Sequence, residues 1–153
     1  MSSEGVLVWL NSTILLELNK LVLRGTEESF GVRGEGIKRL EEALTRPEAH
    51  YRYGDVCTIP HLAAYYAMAI TRKHPFYGGN KRTSLAAAGT FMHVNDLEIE
   101  ARFPPTEQGE RFDEEAYEKI MALSTENISV SDFGDWLALS SLPHEKRDEE
   151  RKR

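Results

Sequence analysis

At 153 residues the chain fits one domain around a single hydrophobic core, with room for a short tail. Hydrophobic residues make up 41% and charged residues 29%, an ordinary globular balance, and a net charge of −6 argues against a general nucleic-acid binder, whose affinity rests on a basic surface. Cys57 is the only cysteine, which excludes an intramolecular disulfide framework and suits a reducing cytosol. No histidine pair has metal-ligand spacing, and the apolar run Ile14 to Leu23 is too short to span a bilayer. The first residues, MSSEGVLVWL, lack a basic region and a small-residue cleavage site, so the cytoplasm is the expected location.

In chain order, Asn11 or Ser12 caps a first helix whose apolar residues Ile14, Leu15, Leu18, Leu21 and Val22 recur at helical spacing, and Gly25 stops it. Gly31, Gly34 and Gly36 follow in a loop. The order GVRGEG does not fit a dinucleotide fingerprint and reads as a turn. Ile37, Leu40 and Leu44 mark a second helix, ended by Arg46-Pro47 because proline disfavours helical backbone in the residue before it. His50 to Thr58 is aromatic and β-leaning, and reads as an irregular loop or short hairpin. Thr58 and Pro60 open a third helix running to about Lys73, with Leu62, Tyr65, Tyr66, Ala69 and Ile70 on its apolar side. A fourth helix starts near Asn80, carries Leu85, Ala88, Phe91 and Met92, and ends at Val94-Asn95. Alanines at 63, 64, 67, 69, 86, 87 and 88 predict that these two helices pack closely at the centre of the domain.

Beyond Asp96, the run Leu97 to Ala101 alternates and reads as extended, and Phe103-Pro104-Pro105 breaks the chain. Asp113 to Leu123 reads as helix, and Ser131 caps a last helix bearing Phe133, Trp136, Leu137 and Leu139. Residues 144–153 are nearly all charged and are expected to stay disordered or frayed, leaving one domain over residues 1–143. The expected fold class is all-α: a compact bundle of about six helices with a short irregular or β-hairpin flap.

The chemistry concentrates in HPFYGGNKRTS, His74 to Ser84. Gly78-Gly79 allows backbone conformations closed to other residues and close approach to a ligand. A helix begins directly afterwards, so its first N–H groups and positive dipole end form an anion site suited to phosphate. Lys81 and Arg82 add positive charge at that same end, where cations disfavour the helix unless an anion offsets them. Asn80 can cap the helix or hold the loop shape. His74 closes the preceding helix and is the residue type best suited to act as a base near neutral pH. A base beside a phosphate cradle suggests transfer of a phosphorus group onto a hydroxyl. Singly, each signal is ordinary: Phe76 reads as core packing, His74 as a surface histidine, Lys81 and Arg82 as solvated charges, the glycines as a turn. Their order between two helices is what carries weight.

HPFYGGNKRTS resembles the central motif of the Fic/Doc superfamily, and its Asn-Lys-Arg ending resembles the Doc branch, since Fic enzymes have glycine where Lys81 stands. Gly34 to Pro47, the Tyr53-Gly54 turn, the alanine-rich third helix, Phe91 to Asn95 and Ile128-Ser129-Val130 are similar to other family features. The resemblance implies a helical toxin domain inhibited by a separate, Phd-like antitoxin. It also implies phosphorylation of a protein hydroxyl from ATP and Mg²⁺, with elongation factor Tu as the target class. On it, His74 is the catalytic base, with Lys81 and Arg82 acting at the transferred group. Gly78, Gly79, Asn80, Lys81 and Arg82 bind the nucleotide phosphates, Arg72 assists, and His50 to Thr58 is a target-docking flap. Gly78 stands where the family has an acid that holds Mg²⁺, so no metal ligand is assigned and the nearest acids in sequence are Asp55 and Asp96. Glu35-Gly36 ends like the inhibitory helix of some Fic proteins, but Gly31 stands where that pattern has Ser or Thr. The alternatives are a Fic-type nucleotidyl or phosphate-group transferase, and a catalytically silent binding module of the same fold.

Overall fold

Hydrophobic periodicity organises six helices in this computed structural model, which describes residues 6–56, 58–99 and 107–143. They are α1 (Ser12–Val22), α2 (Gly36–Arg52), α3 (Ile59–Lys73), α4 (Asn80–Val94), α5 (Glu107–Ser124) and α6 (Val130–Leu139). The all-α architecture expected from the sequence is the one the chain adopts. At its centre lies α3, where Leu62, Ala63, Ala64, Tyr66, Ala67 and Ile70 have no exposed surface. Alanine side chains let α3 and α4 approach closely, and theirs is the most extensive contact between elements, followed by those of α3 with α6 and with α2.

Side-chain caps explain three of the six helix starts. Asn11 Oδ1 accepts the Ile14 N–H at 2.9 Å to open α1, and the Thr58 hydroxyl accepts the His61 N–H at 3.4 Å to open α3. At α6 the cap is Ser129, not Ser131: its Oγ accepts the Asp132 N–H at 3.0 Å, and the Asp132 carboxylate reaches back to the Ser129 N–H. The helix expected from Asp113 begins earlier, at Glu107. Leu97–Ile99 is extended as expected, and forms β1, paired antiparallel with a strand the sequence did not announce, β2 (Ser141–Pro143).

Two expectations are overturned by packing. Pro47 does not end α2 but lies buried inside it, although a proline costs the helix an N–H bond. Leu40, Ala43 and Pro47 share one buried face, and that burial carries the helix on to Arg52. Of the irregular loop or short hairpin expected at His50 to Thr58, no hairpin forms among the described residues: His50–Arg52 are instead the last turn of α2, and the irregular part is a turn at Tyr53–Asp55. The His50 ring stacks on Tyr65 at 3.8 Å and its Nδ1 meets Asp55 Oδ2 at 2.8 Å, which fastens that turn to α3. Cys57, the Phe103-Pro104-Pro105 break and the charged tail lie outside the described residues.

One buried polar side chain on α1 ties distant segments together. Asn19, with no exposed surface, donates from Nδ2 to the Gly78 carbonyl at 2.9 Å and to Thr83 Oγ1 at 3.2 Å. Its Oδ1 accepts the Gly31 N–H at 2.8 Å. Helix α1, the loop before α2, the loop between α3 and α4, and the first turn of α4 thus converge on a single amide. Asn19→Ala strips partners from three groups. With buried unsatisfied groups costing about 1–3 kcal/mol each, the variant is expected to lose roughly 2–4 kcal/mol in urea unfolding, at unchanged denaturant slope.

Candidate functional site

The loop between α3 and α4 is built from both ends. His74 is the C-cap of α3, in left-handed backbone conformation (φ 51°, ψ 56°), with its N–H on the Ile70 carbonyl at 3.0 Å. Phe76, fully buried, forms an antiparallel bridge with Val32. Arg33 N–H donates to the Pro75 carbonyl and Tyr77 N–H to the Gly31 carbonyl, both at 3.0 Å. The glycine-rich segment read as a turn is therefore the strap against which the loop is laid. Gly36 makes the approach possible, since a Cβ there would run into the Pro75 carbonyl and lie 2.6 Å from the Val32 Cβ.

Asn80 closes the loop from the other end. Its Oδ1 accepts the Phe76 N–H and its Nδ2 donates to the Phe76 carbonyl, both at 3.0 Å. The side-chain amide is thus engaged by the loop itself, and only the Asn80 N–H remains for a ligand. Gly79 precedes the helix in left-handed conformation (φ 72°), where a Cβ would sit 2.8 Å from Leu23 Cδ2. No residue with a side chain fits there without displacing a buried leucine.

The start of α4 is open. No side chain caps it, no acid lies in its first turn, and the N–H groups of Asn80, Lys81 and Arg82 have no partner among the described residues. Lys81 is half-buried and Arg82 exposed, and neither forms an ion pair among the described residues. The arrangement concentrates positive potential and free donors at one point, a geometry suited to an anion and called the cradle below.

His74 looks onto this field. Desolvation and the nearby positive charges of Arg33, Lys81 and Arg39 hold its imidazole below the ordinary histidine value of 6.5. At neutral pH the ring is therefore the neutral, proton-accepting form. Arg33 is also joined to His74 directly, its Nε donating to the His74 carbonyl at 3.2 Å.

The structure thus brings His74, Gly78, Gly79, Asn80 and Lys81 to one loop and helix start, with Arg82 on its exposed side. Arg72 is turned elsewhere: its guanidinium meets Glu126, in the turn between α5 and α6, at 3.5 Å. Besides Lys81, the cations acting on His74 are Arg33 and Arg39, which sequence reasoning passed over. Asn19 was missed as well. A polar residue four positions after buried Leu15 on the same helical face was the available signal.

Gly78 brings no carboxylate, and the acids nearest in sequence do not supply one. Asp55 is paired with His50, and Asp96 follows the opposite end of α4. Among the described residues no group of three His, Cys, Asp or Glu side chains could hold a metal by itself. One acid does come close: Glu28 Oε1 lies 3.0 Å from where a Cβ on residue 78 would stand.

Residues 9–92, more than half of the chain, match the model of the Fic/DOC family. The chain is also 39% identical over 89 residues to Toxin Doc of Mycolicibacterium smegmatis (strain ATCC 700084 / mc(2)155), an overlap of 54% of this chain and 65% of that protein. The match thus spans a little under two thirds of that relative's length. No helix among the described residues is long and apolar enough to cross a membrane. Every residue of the loop, its strap and the open helix start falls inside the matched segment, and the chain belongs to the Fic/DOC family.

Proposed function

We propose that this protein is the toxin of a toxin–antitoxin pair, and that it transfers the terminal phosphoryl group of ATP to a hydroxyl of a target protein. The observation that carries this reading is the pairing of a neutral, cation-flanked histidine with an uncapped helix start bearing two unpaired cations. The likeness to a protein named Toxin Doc supports the toxin role, and Lys81, where the Fic branch has glycine, favours phosphoryl over nucleotidyl transfer.

The N–H groups of residues 80–82, with Lys81 and Arg82, hold the phosphates and meet charge that grows on them. His74 takes the proton of the target hydroxyl as the new oxygen–phosphorus bond forms and the bond to the nucleoside diphosphate breaks. Asn80 acts by holding the Phe76 backbone, which fixes the distance between base and cradle. Mg²⁺, when bound, supplies charge neutralisation between the phosphates, and Gly78 offers it no side-chain oxygen. The partner is a Phd-like antitoxin, the target a translation factor such as elongation factor Tu, and the setting the cytoplasm. Gly78 favours one other reading, a silent module that binds nucleotide or antitoxin without turnover.

Incubation with γ-labelled and α-labelled ATP in a bacterial lysate containing Mg²⁺ separates these readings. Label is expected on protein from the γ position only. Transfer from the α position makes the protein a nucleotidyltransferase, and no transfer with ATP binding intact makes it a silent module. His74→Ala is expected to lower transfer at least about 100-fold, the usual range for a lost general base. Because the neutral ring is the working form, activity is expected to fall with acidification only below pH 6.5. Arg33→Gln removes a positive neighbour, so the imidazole pKa rises and the acid limb moves to higher pH. Proton NMR titration of the His74 ring, beside the rate profile, checks both.

A further inference from the structure

The cradle has no acid of its own at Gly78, yet a carboxylate packs against that position. Glu28, in the loop between α1 and α2, puts Oε1 at 3.0 Å and Cδ at 3.4 Å from the position of a Cβ on residue 78. In an aspartate the carboxylate oxygens lie about 2.4 Å from the residue's own Cβ, from standard bond lengths. Glu28 therefore holds an oxygen within about 1 Å of the radius at which an acid at 78 would hold one.

Both sides of this contact hang from α1. The Thr26 hydroxyl donates to the Leu23 carbonyl at 2.7 Å and accepts the Glu28 N–H at 3.3 Å, which fastens the Glu28 turn to the end of α1. Asn19, on the same helix, holds the Gly78 carbonyl at 2.9 Å.

The Glu28 carboxylate makes no hydrogen bond or ion pair among the described residues, and Lys81 and Arg82 are equally unpaired. An acid present only to neutralise the cations would pair with them. Left unpaired beside an open helix start, it would instead repel a bare phosphate. A divalent cation reconciles the two, because hard cations bind carboxylate and phosphate oxygens together. One carboxylate with phosphate oxygens and waters is also the donor set Mg²⁺ usually takes, which agrees with the absence of a self-sufficient acidic cluster among the described residues.

We propose that Glu28 is the metal-side ligand of the cradle, giving a carboxylate oxygen to the Mg²⁺ of Mg–ATP from the loop between α1 and α2. The assignment rests on the nucleotide reading above. It is tested by titrating ATP into the full chain, wild type and Glu28→Gln, in Mg²⁺ and in EDTA, with calorimetric detection. Wild type is expected to bind ATP about tenfold or more tightly with Mg²⁺ than without, and Glu28→Gln to lose that gain while binding metal-free ATP as well or better. The assignment is overturned if wild type binds ATP equally in both buffers, or if Glu28→Gln keeps the gain. It is also overturned if the substitution raises affinity by the same factor in both, since Glu28 is then an anion in the way. A wild type that binds no ATP in either buffer overturns the nucleotide reading itself, whereas binding with the gain retained in Glu28→Gln removes Glu28 alone.

Discussion

The carboxamide of Asn19 is the constraint on which the site depends. It joins segments 12, 59 and 64 positions away in sequence, each through one short hydrogen bond. By gripping the Gly78 carbonyl it sets the orientation of the peptide leading into Gly79, and through that peptide the direction in which α4 starts. Asn80 grips the same loop at Phe76 from the opposite side. A loop held between two amides, one buried in α1 and one in α4, needs little rearrangement to receive a ligand. That would suit the phosphoryl transfer proposed above, because donors fixed in advance add no reorganisation cost when charge develops.

The starts of α6 and α4 are treated in opposite ways. At α6, Ser129 and Asp132 satisfy the first N–H groups and place a negative charge against the positive dipole end. At α4 neither device is present, and two cations are added where the dipole already disfavours them. Asn80 is a good capping residue by type, yet its amide faces back into the loop and leaves the helix start uncovered. An anion beside such a terminus would stabilise it. Desolvation first, and then the positive charges of Arg33, Lys81 and Arg39, lower the His74 pKa, so Lys81 belongs both to the positive helix start and to the group that keeps the imidazole neutral.

What was legible in the sequence was local. The starts of α3 and α4, the burial of Phe76, the close approach of alanine-lined helices and the glycine turn before α4 follow from caps, periodicity and glycine placement within a few residues. What was not legible came from contacts between distant segments. Pro47 stays helical because a buried face outweighs a missing N–H. β2 exists because β1 offers it an edge. Arg33 and Glu28 reach the cradle from a strap more than 40 positions before it, and no spacing rule connects them to His74 or Gly78. Ser129 is the instructive exception: the Ser-x-x-Asp pattern ending at Asp132 was present, but a second serine two residues on drew the assignment instead.

The backbone of His74 carries a cost that the fold does not require. At φ 51° it occupies the left-handed region, which disfavours a residue with a side chain by roughly 1–2 kcal/mol and suits glycine at a helix C-terminus. Its ring is also partly desolvated among positive charges. Under the proposed function, folding and chemistry make opposed demands on one position, where a glycine would relax the chain and remove the proposed proton acceptor. On the function proposed above, greater stability and loss of activity would be the same substitution at this residue, with the protein on the less stable side of that exchange.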